Sequence, residues 1–183
     1  MTPSRNTDLP DPFLLARAIQ GDAEAFGDLY ERYLDEIQRY VFYRVANRFD
    51  AEDLTETVFL KAWEALPSFE SSIVNLRAWL YRIAHNVVVD HYRSARETTE
   101  LSPKYLHDRH PSPEHQIQDR DLRQQLTDMI KSLDPNLQQV IVCRFVSGLS
   151  HAETGQIMGI KEGHVRVLQL RALQKLRQML EKE

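Results

Sequence analysis

Cysteine is almost missing from this chain. Its 183 residues contain one, Cys143, so no internal disulfide can form and a reducing compartment is indicated. Glycine is scarce as well, with six residues. The long segments rich in Ala, Leu, Glu and Arg between them point to an all-helical fold rather than to strands and tight turns. No run approaches the roughly 20 apolar residues of a membrane span, and the opening MTPSRNTDLPDP lacks the apolar core of a secretory signal. A cytoplasmic protein without direct membrane insertion is expected. There is no Gly-rich phosphate loop, no nucleophile with an organised base and no metal constellation. Asp90 with His91, and His151 with Glu153, read better as a helix face and a helix cap than as catalytic pairs. His107, His110 and His115 sit in a Pro-interrupted stretch with nothing to order them as ligands. Neither an enzyme, nor a cofactor, nor a bound metal is expected.

What the chain does have is a folded composition, 42% apolar and 27% charged, and an uneven distribution of charge. The overall net charge of −4 argues against nucleic acid as a partner. Its distribution argues the other way: residues 1–70 carry −7, residues 71–97 carry +2, residues 98–136 carry −2 and residues 137–183 carry +3. Two basic segments in an acidic chain suit a protein that touches DNA at two places while a protein partner supplies most of the affinity.

Periodicity predicts the elements. DPFLLARAIQ (11–20) reads as a short helix capped by Asp11 and closed by Gly21. A long helix from Asp22 to Ala46 carries the stripe Phe26, Leu29, Tyr30, Tyr33, Leu34, Ile37, Val41 and Val45. Asp50 opens a third helix, with Leu54, Val58, Leu60, Trp63 and Leu66 apolar, which Pro67 ends. Ser68–Val74 is a loop that holds Phe69 ahead of the next helix. That helix, NLRAWLYRIAHNVVVDHYRSAR (75–96), turns Leu76, Leu80, Ile83 and Val87 toward a core. Its other face interleaves Tyr81, His85 and Tyr92 with Arg82, Arg93 and Arg96, offering phosphate-neutralising charge beside π-faces for unpaired bases.

From Glu97 to Pro113 the apolar pattern lapses, and Pro103, Pro111 and Pro113 mark a flexible linker. Periodicity resumes near Glu114 with Ile117, Leu122, Leu126, Met129, Ile130 and Leu133. Asp134-Pro135 then starts NLQQVIVCRFVSG, whose run Val140, Ile141, Val142, Phe145 and Val146 should be largely buried, with Cys143 inert among them. Ser150 and Glu153 form a capping box on a helix of barely two turns that ends at Gly159. A last helix runs from about Lys161, with Ile160, Val165, Leu168, Ala172 and Leu176 facing inward. Gly155 stands where the two helices must approach. A short helix, a tight turn and a longer helix form a helix-turn-helix, with phosphate contacts expected from Lys161, Arg171, Lys175 and Arg177.

DAEDLTETVFLKAW followed by FESSIVNLRAWLYRIAHNVVVDHYR resembles the promoter-melting domain of bacterial sigma factors. LDPNLQQVIVCRFVSGLSHAETGQIMGIKEGHVRVLQLRALQKLR resembles their C-terminal helix-turn-helix domain. With only these two domains, the chain resembles the extracytoplasmic-function (ECF) group of the sigma-70 superfamily. The resemblance implies two small helical domains, a region 2-like domain over 10–97 and a region 4-like domain over 114–183, joined by the linker 98–113. It implies core RNA polymerase as partner, through the β′ clamp helices and the β flap, with Asp53, Glu56 and Phe59 at the clamp. For the −10 element it implies Phe69, Asn75, Arg77, Tyr81, Arg82, His85, Asn86, Tyr92 and Arg93. For the −35 element it implies Lys161, His164, Arg166, Val167, Leu170, Arg171 and Lys175. An anti-sigma partner is also implied. The chain departs from the family pattern in three places. Glu56-Thr57 stands for the usual Gln-Glu, Thr154-Gly155 for Ile-Ala, and GHVRVLQLRAL for GTVKSRLHRAR, so that Val167, Leu168 and Leu170 replace polar, basic or aromatic residues. The rival reading is a free-standing helix-turn-helix regulator that binds DNA as a dimer; it leaves the Tyr81/Tyr92 face without a role.

Overall fold

The computed structural model of the protein describes residues 9–69, 75–99 and 117–181, and those residues form eight α-helices and no strand. Of the expected linker 98–113, residues 98–99 are helical instead, and 100–113 lie outside the described residues, as do His107, His110 and His115 and the 70–74 part of the loop behind Phe69.

Helix α1 (Asp11–Ile19) starts after Pro10, and Asp11 does not cap it. The Asp11 carboxylate instead accepts from Arg32 and from the Tyr33 hydroxyl on α2 (Ala23–Val45). A guanidinium and a phenol outweigh a single helix-end N–H as partners for a carboxylate. The turn into α2 is closed by Gly21 at φ +88°, and Asp22 caps α2 by accepting from the amides of Glu24 and Ala25, both at 3.1 Å. Helix α3 (Arg48–Ala65) begins earlier than expected because Asn47 Oδ1 takes the amides of Phe49 and Asp50. Its buried stripe is Ala51, Thr55, Val58, Phe59 and Ala62. Leu60, one of the apolar residues of this helix, is 59% exposed. The stripe combines Val58 and Phe59 with small residues on the correct 3.6 spacing, and Thr55 returns its hydroxyl to Ala51 O at 2.6 Å.

Helix α4 (Leu76–Thr99) packs on α2 and α3, with Leu76, Leu80, Ala84, Val87 and Val88 buried. After α5 (Ile117–Lys131), helix α6 (Pro135–Ile141) runs into a widened turn, Val142–Val146, that ends with the Ser147 amide on Val142 O at 2.9 Å. The widening takes Phe145 out of the buried run and leaves it 58% exposed, against expectation, while Cys143 stays enclosed. Helix α7 (His151–Met158) carries both halves of the Ser150/Glu153 capping box, and Gly159 closes it at φ +67°. Helix α8 (Glu162–Leu180) then buries Val165, Leu168 and Ala172.

The buried apolar set is continuous from the N-terminal helices into the C-terminal ones. Leu29, Ile37, Tyr40 and Tyr81 share a cluster with Ile141, Val142, Cys143 and Leu149. The C-terminal half is therefore seated on the N-terminal half, along α2 and α4. Burial of a side chain as large as Tyr40 or Tyr81 contributes about 1.5–3 kcal/mol, so this seam is a substantial part of the core.

Candidate polymerase and nucleic-acid interfaces

Three faces carry the residues that sequence reasoning singled out, and the structure treats each differently. On α3, Asp53 and Glu56 project to solvent, whereas Phe59 is in the core with its ring against Tyr30 (centroids 4.6 Å apart). The apolar side chains exposed on the same helix beside the two acids are Leu60 and, one turn before Asp53, Phe49.

On α4 the basic-aromatic face meets the C-terminal half. Asn75 starts the helix, its Oδ1 accepting from the Arg77 amide at 2.9 Å. Arg77 reaches Glu36 on α2 and the backbone oxygen of Ser147 across the seam. Tyr81 is 0% exposed, edge-on to Tyr40 (5.1 Å, 89°) and donating to Glu36 at 2.8 Å. Burial is the main cause that raises its pKa far above that of a free phenol. His85 is half-buried; burial first, and the charge of Arg44 second, hold its pKa below the ordinary 6.5. Tyr92 keeps a ring edge at the surface but donates its hydroxyl to Arg44 O at 2.8 Å. Phe69 is buried against Trp79 (4.9 Å, 65°). Arg82, Asn86 and Arg93 remain on the open side. Thus the structure gathers Arg77, Tyr81 and His85 on one surface, and α6–α7 cover that surface.

The groups that hold the cover in place escaped sequence reasoning. Gln139 donates to the Tyr40 hydroxyl at 2.6 Å and contacts Cys143 Sγ at 3.2 Å. Gln138 donates to the carbonyls of Tyr43 and Arg44 at the end of α2 (3.2 and 3.3 Å) and accepts from Arg44 Nη1 at 2.9 Å. The one available signal was two consecutive glutamines ahead of a run that had to be buried. Cys143, 0% exposed, has its thiol pushed up to about 12 by burial, which makes it unreactive as expected. The seam is not fully satisfied. Arg44 Nε, His85 Nδ1, Gln139 Oε1 and Ser147 Oγ are buried without a hydrogen-bond partner of good geometry among the described residues. His85 and Gln139, and Tyr81 and Ser147, still interact side chain to side chain, whereas Arg44 Nε is a buried charged donor left unmatched, at a cost of about 1–3 kcal/mol.

On α8 the outer face is open. A Cβ on Gly155 would meet Ile160 O at 2.7 Å and Val165 at 3.6 Å, so the missing side chain lets the turn and α8 seat on α7 and sets the rotation of α8. Leu168 takes the core position, and Gln169 is held sideways by Arg144 (3.1 Å) and His151 (3.0 Å). Lys161, His164, Val167 (46% exposed), Leu170 (59%) and Arg171 face outward. Arg166 is also outward, paired with Glu162 one turn back, and Lys175 reaches Asp134 at 2.9 Å.

This geometry, a capped helix-turn-helix and a basic-aromatic helix in one chain, agrees with the comparisons to known proteins. The family model for sigma-70 region 2 matches residues 29–98, and that for sigma-70 region 4 matches residues 129–178. The chain belongs to the sigma-70 family, in its ECF group. It is 38% identical over 170 residues to the ECF RNA polymerase sigma factor BldN of Streptomyces coelicolor, covering 91% of this chain and 64% of that protein. It is 24% identical to the ECF sigma factor SigM of Bacillus subtilis, covering 82% and 91%. Among solved structures, CnrH in complex with the cytosolic domain of CnrY superposes with a TM-score of 0.73 at 26% identity, covering 94% of this chain and 98% of that one. The sigma factor RpoE in complex with the anti-sigma factor NepR from Bartonella quintana shares the fold (TM-score 0.69, 23% identity, covering 84% and 97%). The two helical halves and the absence of strands among the described residues are those of this family. A free-standing regulator is not favoured by matches to both sigma regions in one chain.

Proposed function

We propose that this chain is an alternative sigma factor that binds core RNA polymerase and selects promoters, without catalysing a reaction itself. The observation that carries the reading is the coexistence, in one chain of this family, of α4's basic-aromatic face and α8's open basic face. Residues 10–97 act as the melting domain and 114–183 as the −35 reader, with 98–113 between them. Asp53 and Glu56, with Leu60 rather than Phe59 as the apolar contact, meet the clamp helices. The β flap is the second polymerase contact. In the −35 element the outward strip of α8, His164, Val167, Leu170 and Arg171 with Lys161 and Arg166, enters the major groove.

The −10 assignment needs a change of arrangement. Tyr81 and His85 can stack or bond to bases only when α6–α7 leave α4, so the observed packing is the DNA-excluding state. Polymerase that binds the two halves apart would supply that release by favouring the open arrangement. CnrH, which superposes over 94% of this chain, was solved in complex with the cytosolic domain of CnrY. An anti-sigma partner that favours the shut arrangement fits the same logic. No helix of the described residues is long and apolar enough to cross a membrane, and we place the protein in the cytoplasm with the polymerase.

The test is co-elution of the purified chain with bacterial core RNA polymerase on a sizing column. A stoichiometric complex that transcribes from a subset of promoters is expected. A folded chain that ignores core polymerase and binds an operator as a dimer would overturn the reading.

A further inference from the structure

Arg44 is the anomaly of the seam. It is 4% exposed, yet it makes no ion pair with a carboxylate among the described residues. Its Nη1 donates to Gln138 Oε1 (2.9 Å) and Pro135 O (3.2 Å), both neutral acceptors supplied by the C-terminal half, and its Nε has no partner. A buried guanidinium normally takes a carboxylate or phosphate in a two-pronged contact. Neutral oxygens on one prong are a poor permanent substitute, since a buried charge is costly to leave under-paired. Of the acids near this surface, Glu36 is committed to Arg77 and Tyr81, Glu153 to the capping box of α7, and Asp50, whose charge Tyr92 feels, makes no ion pair with Arg44.

The surroundings say what the guanidinium would find if the cover left. Tyr92 sits on Arg44's own carbonyl, and the charge of Arg44 is felt by His85 and Tyr40. Arg44 therefore belongs to the same surface as the α4 residues, although α2 supplies it. Removal of α6 strips away Gln138 and Pro135 together and exposes a cation, with two free prongs, beside aromatic rings.

We propose that Arg44 is a phosphate ligand for the single-stranded −10 DNA, held in reserve by the Gln138 and Pro135 oxygens while the two halves are closed. The proposal rests on the sigma-factor reading above. It makes closure and strand capture compete for one guanidinium: the C-terminal half occupies with amide oxygens the donors that a phosphate would take. Charge on the −10 surface thus becomes available at the moment the surface is uncovered.

The experiment uses holoenzyme assembled from the full chain and bacterial core polymerase, on promoter DNA that this holoenzyme selects from a randomised pool, forked so that the −10 non-template strand is single. Affinity is measured over a salt series. Arg44→Ala should weaken binding about ten-fold and lower the salt slope by about one, and Arg44→Lys should keep the slope. Gln138→Ala, which removes the acceptor and leaves the cation, should tighten binding. Neutral methylphosphonates placed singly along the strand should reveal one phosphate that matters to the wild type and not to Arg44→Ala. Unchanged affinity and slope in Arg44→Ala overturn the proposal, as does a Gln138→Ala loss that mirrors it, because both then report only on the seam. A holoenzyme that does not form, or selects no promoter, overturns the sigma-factor reading instead.

Discussion

Helices α4 and α8 both carry arginines on one face and apolar side chains on the other, and in the sequence they look alike. In the structure they stand in opposite conditions. The face of α4 is shut beneath α6 and α7, with Tyr81 fully buried and its hydroxyl committed to Glu36. The face of α8 is open, and its cations are tied only by exposed pairs such as Arg166 with Glu162 and Lys175 with Asp134. Exposed pairs of this kind contribute little and yield readily to a phosphate. The difference assigns the two faces different controls: the α8 face is accessible as it stands, whereas the α4 face answers first to the geometry of the chain itself.

The sharpest way to break the seating of the open face is Gly155→Ala. The added methyl would press on a backbone oxygen at 2.7 Å, which no side-chain rotation relieves. A loss of about 2–3 kcal/mol in urea unfolding is expected, with weakened −35 binding and retained polymerase association through the N-terminal half. An unchanged midpoint would mean that α7 and α8 can part there without cost.

A smaller effect separates the seam's apolar burial from its polar fastening. Tyr40→Phe strips Gln139 of its acceptor, and Gln139→Leu strips Tyr40 of its donor; each should destabilise by about 1–2 kcal/mol. The double variant should cost clearly less than the two together, because an apolar pair leaves no orphan. Additive losses would show that the hydrogen bond does not hold the halves together.

Smaller again is the response to acid. With the seam shut, His85 has a pKa below 6.5, so the closed arrangement binds fewer protons than the open one. Its stability is complete above about pH 6.5 and declines as the pH falls through the depressed value. Small-angle scattering and hydrogen exchange on α4 should report opening on acidification from pH 7.5 towards 5.5, and His85→Gln should abolish the trend. A shut, exchange-protected α4 face in the wild type at pH 5.5 would remove His85 from the control of the seam.

These contrasts also mark what could be read before the fold was known. The capping box at Ser150, the close approach at Gly155, the stripe of α2 and the core face of α4 are local, fixed by spacing and by cap chemistry, and the chain spells them out. In α3 the large apolar residues do not mark the buried face: Leu60 points outward, while the stripe runs through Ala51, Thr55 and Ala62, whose small side chains scarcely register as apolar. Asp11 looked like a cap because nothing in its neighbourhood announces Arg32 and Tyr33, 21 and 22 residues on. The seam was illegible for the same reason on a larger scale. Arg44 and Gln138 are 94 residues apart, and Tyr40 and Gln139 are 99 apart. Periodicity reveals that a face is apolar or basic; it does not reveal which distant segment covers it.

The least disruptive probe is Arg171→Ala, on the open face. Arg171 is exposed and makes no pair that the fold needs, so the unfolding midpoint and the association with core polymerase should both stay as they are. On the proposed −35 role its effect is confined to duplex DNA: loss of one proposed phosphate ligand should lower the salt slope of promoter binding by about one, nearly independent of sequence. Val167→Ser on the same strip should behave in the complementary way, leaving the slope alone and changing which −35 sequence is preferred, because an apolar side chain in the groove reads thymine methyls rather than charge. Arg171→Ala that weakens polymerase association, or Val167→Ser that alters the slope, would mean that the outer face of α8 meets protein rather than DNA. The open face would then need a guardian too, and the contrast with α4 would dissolve.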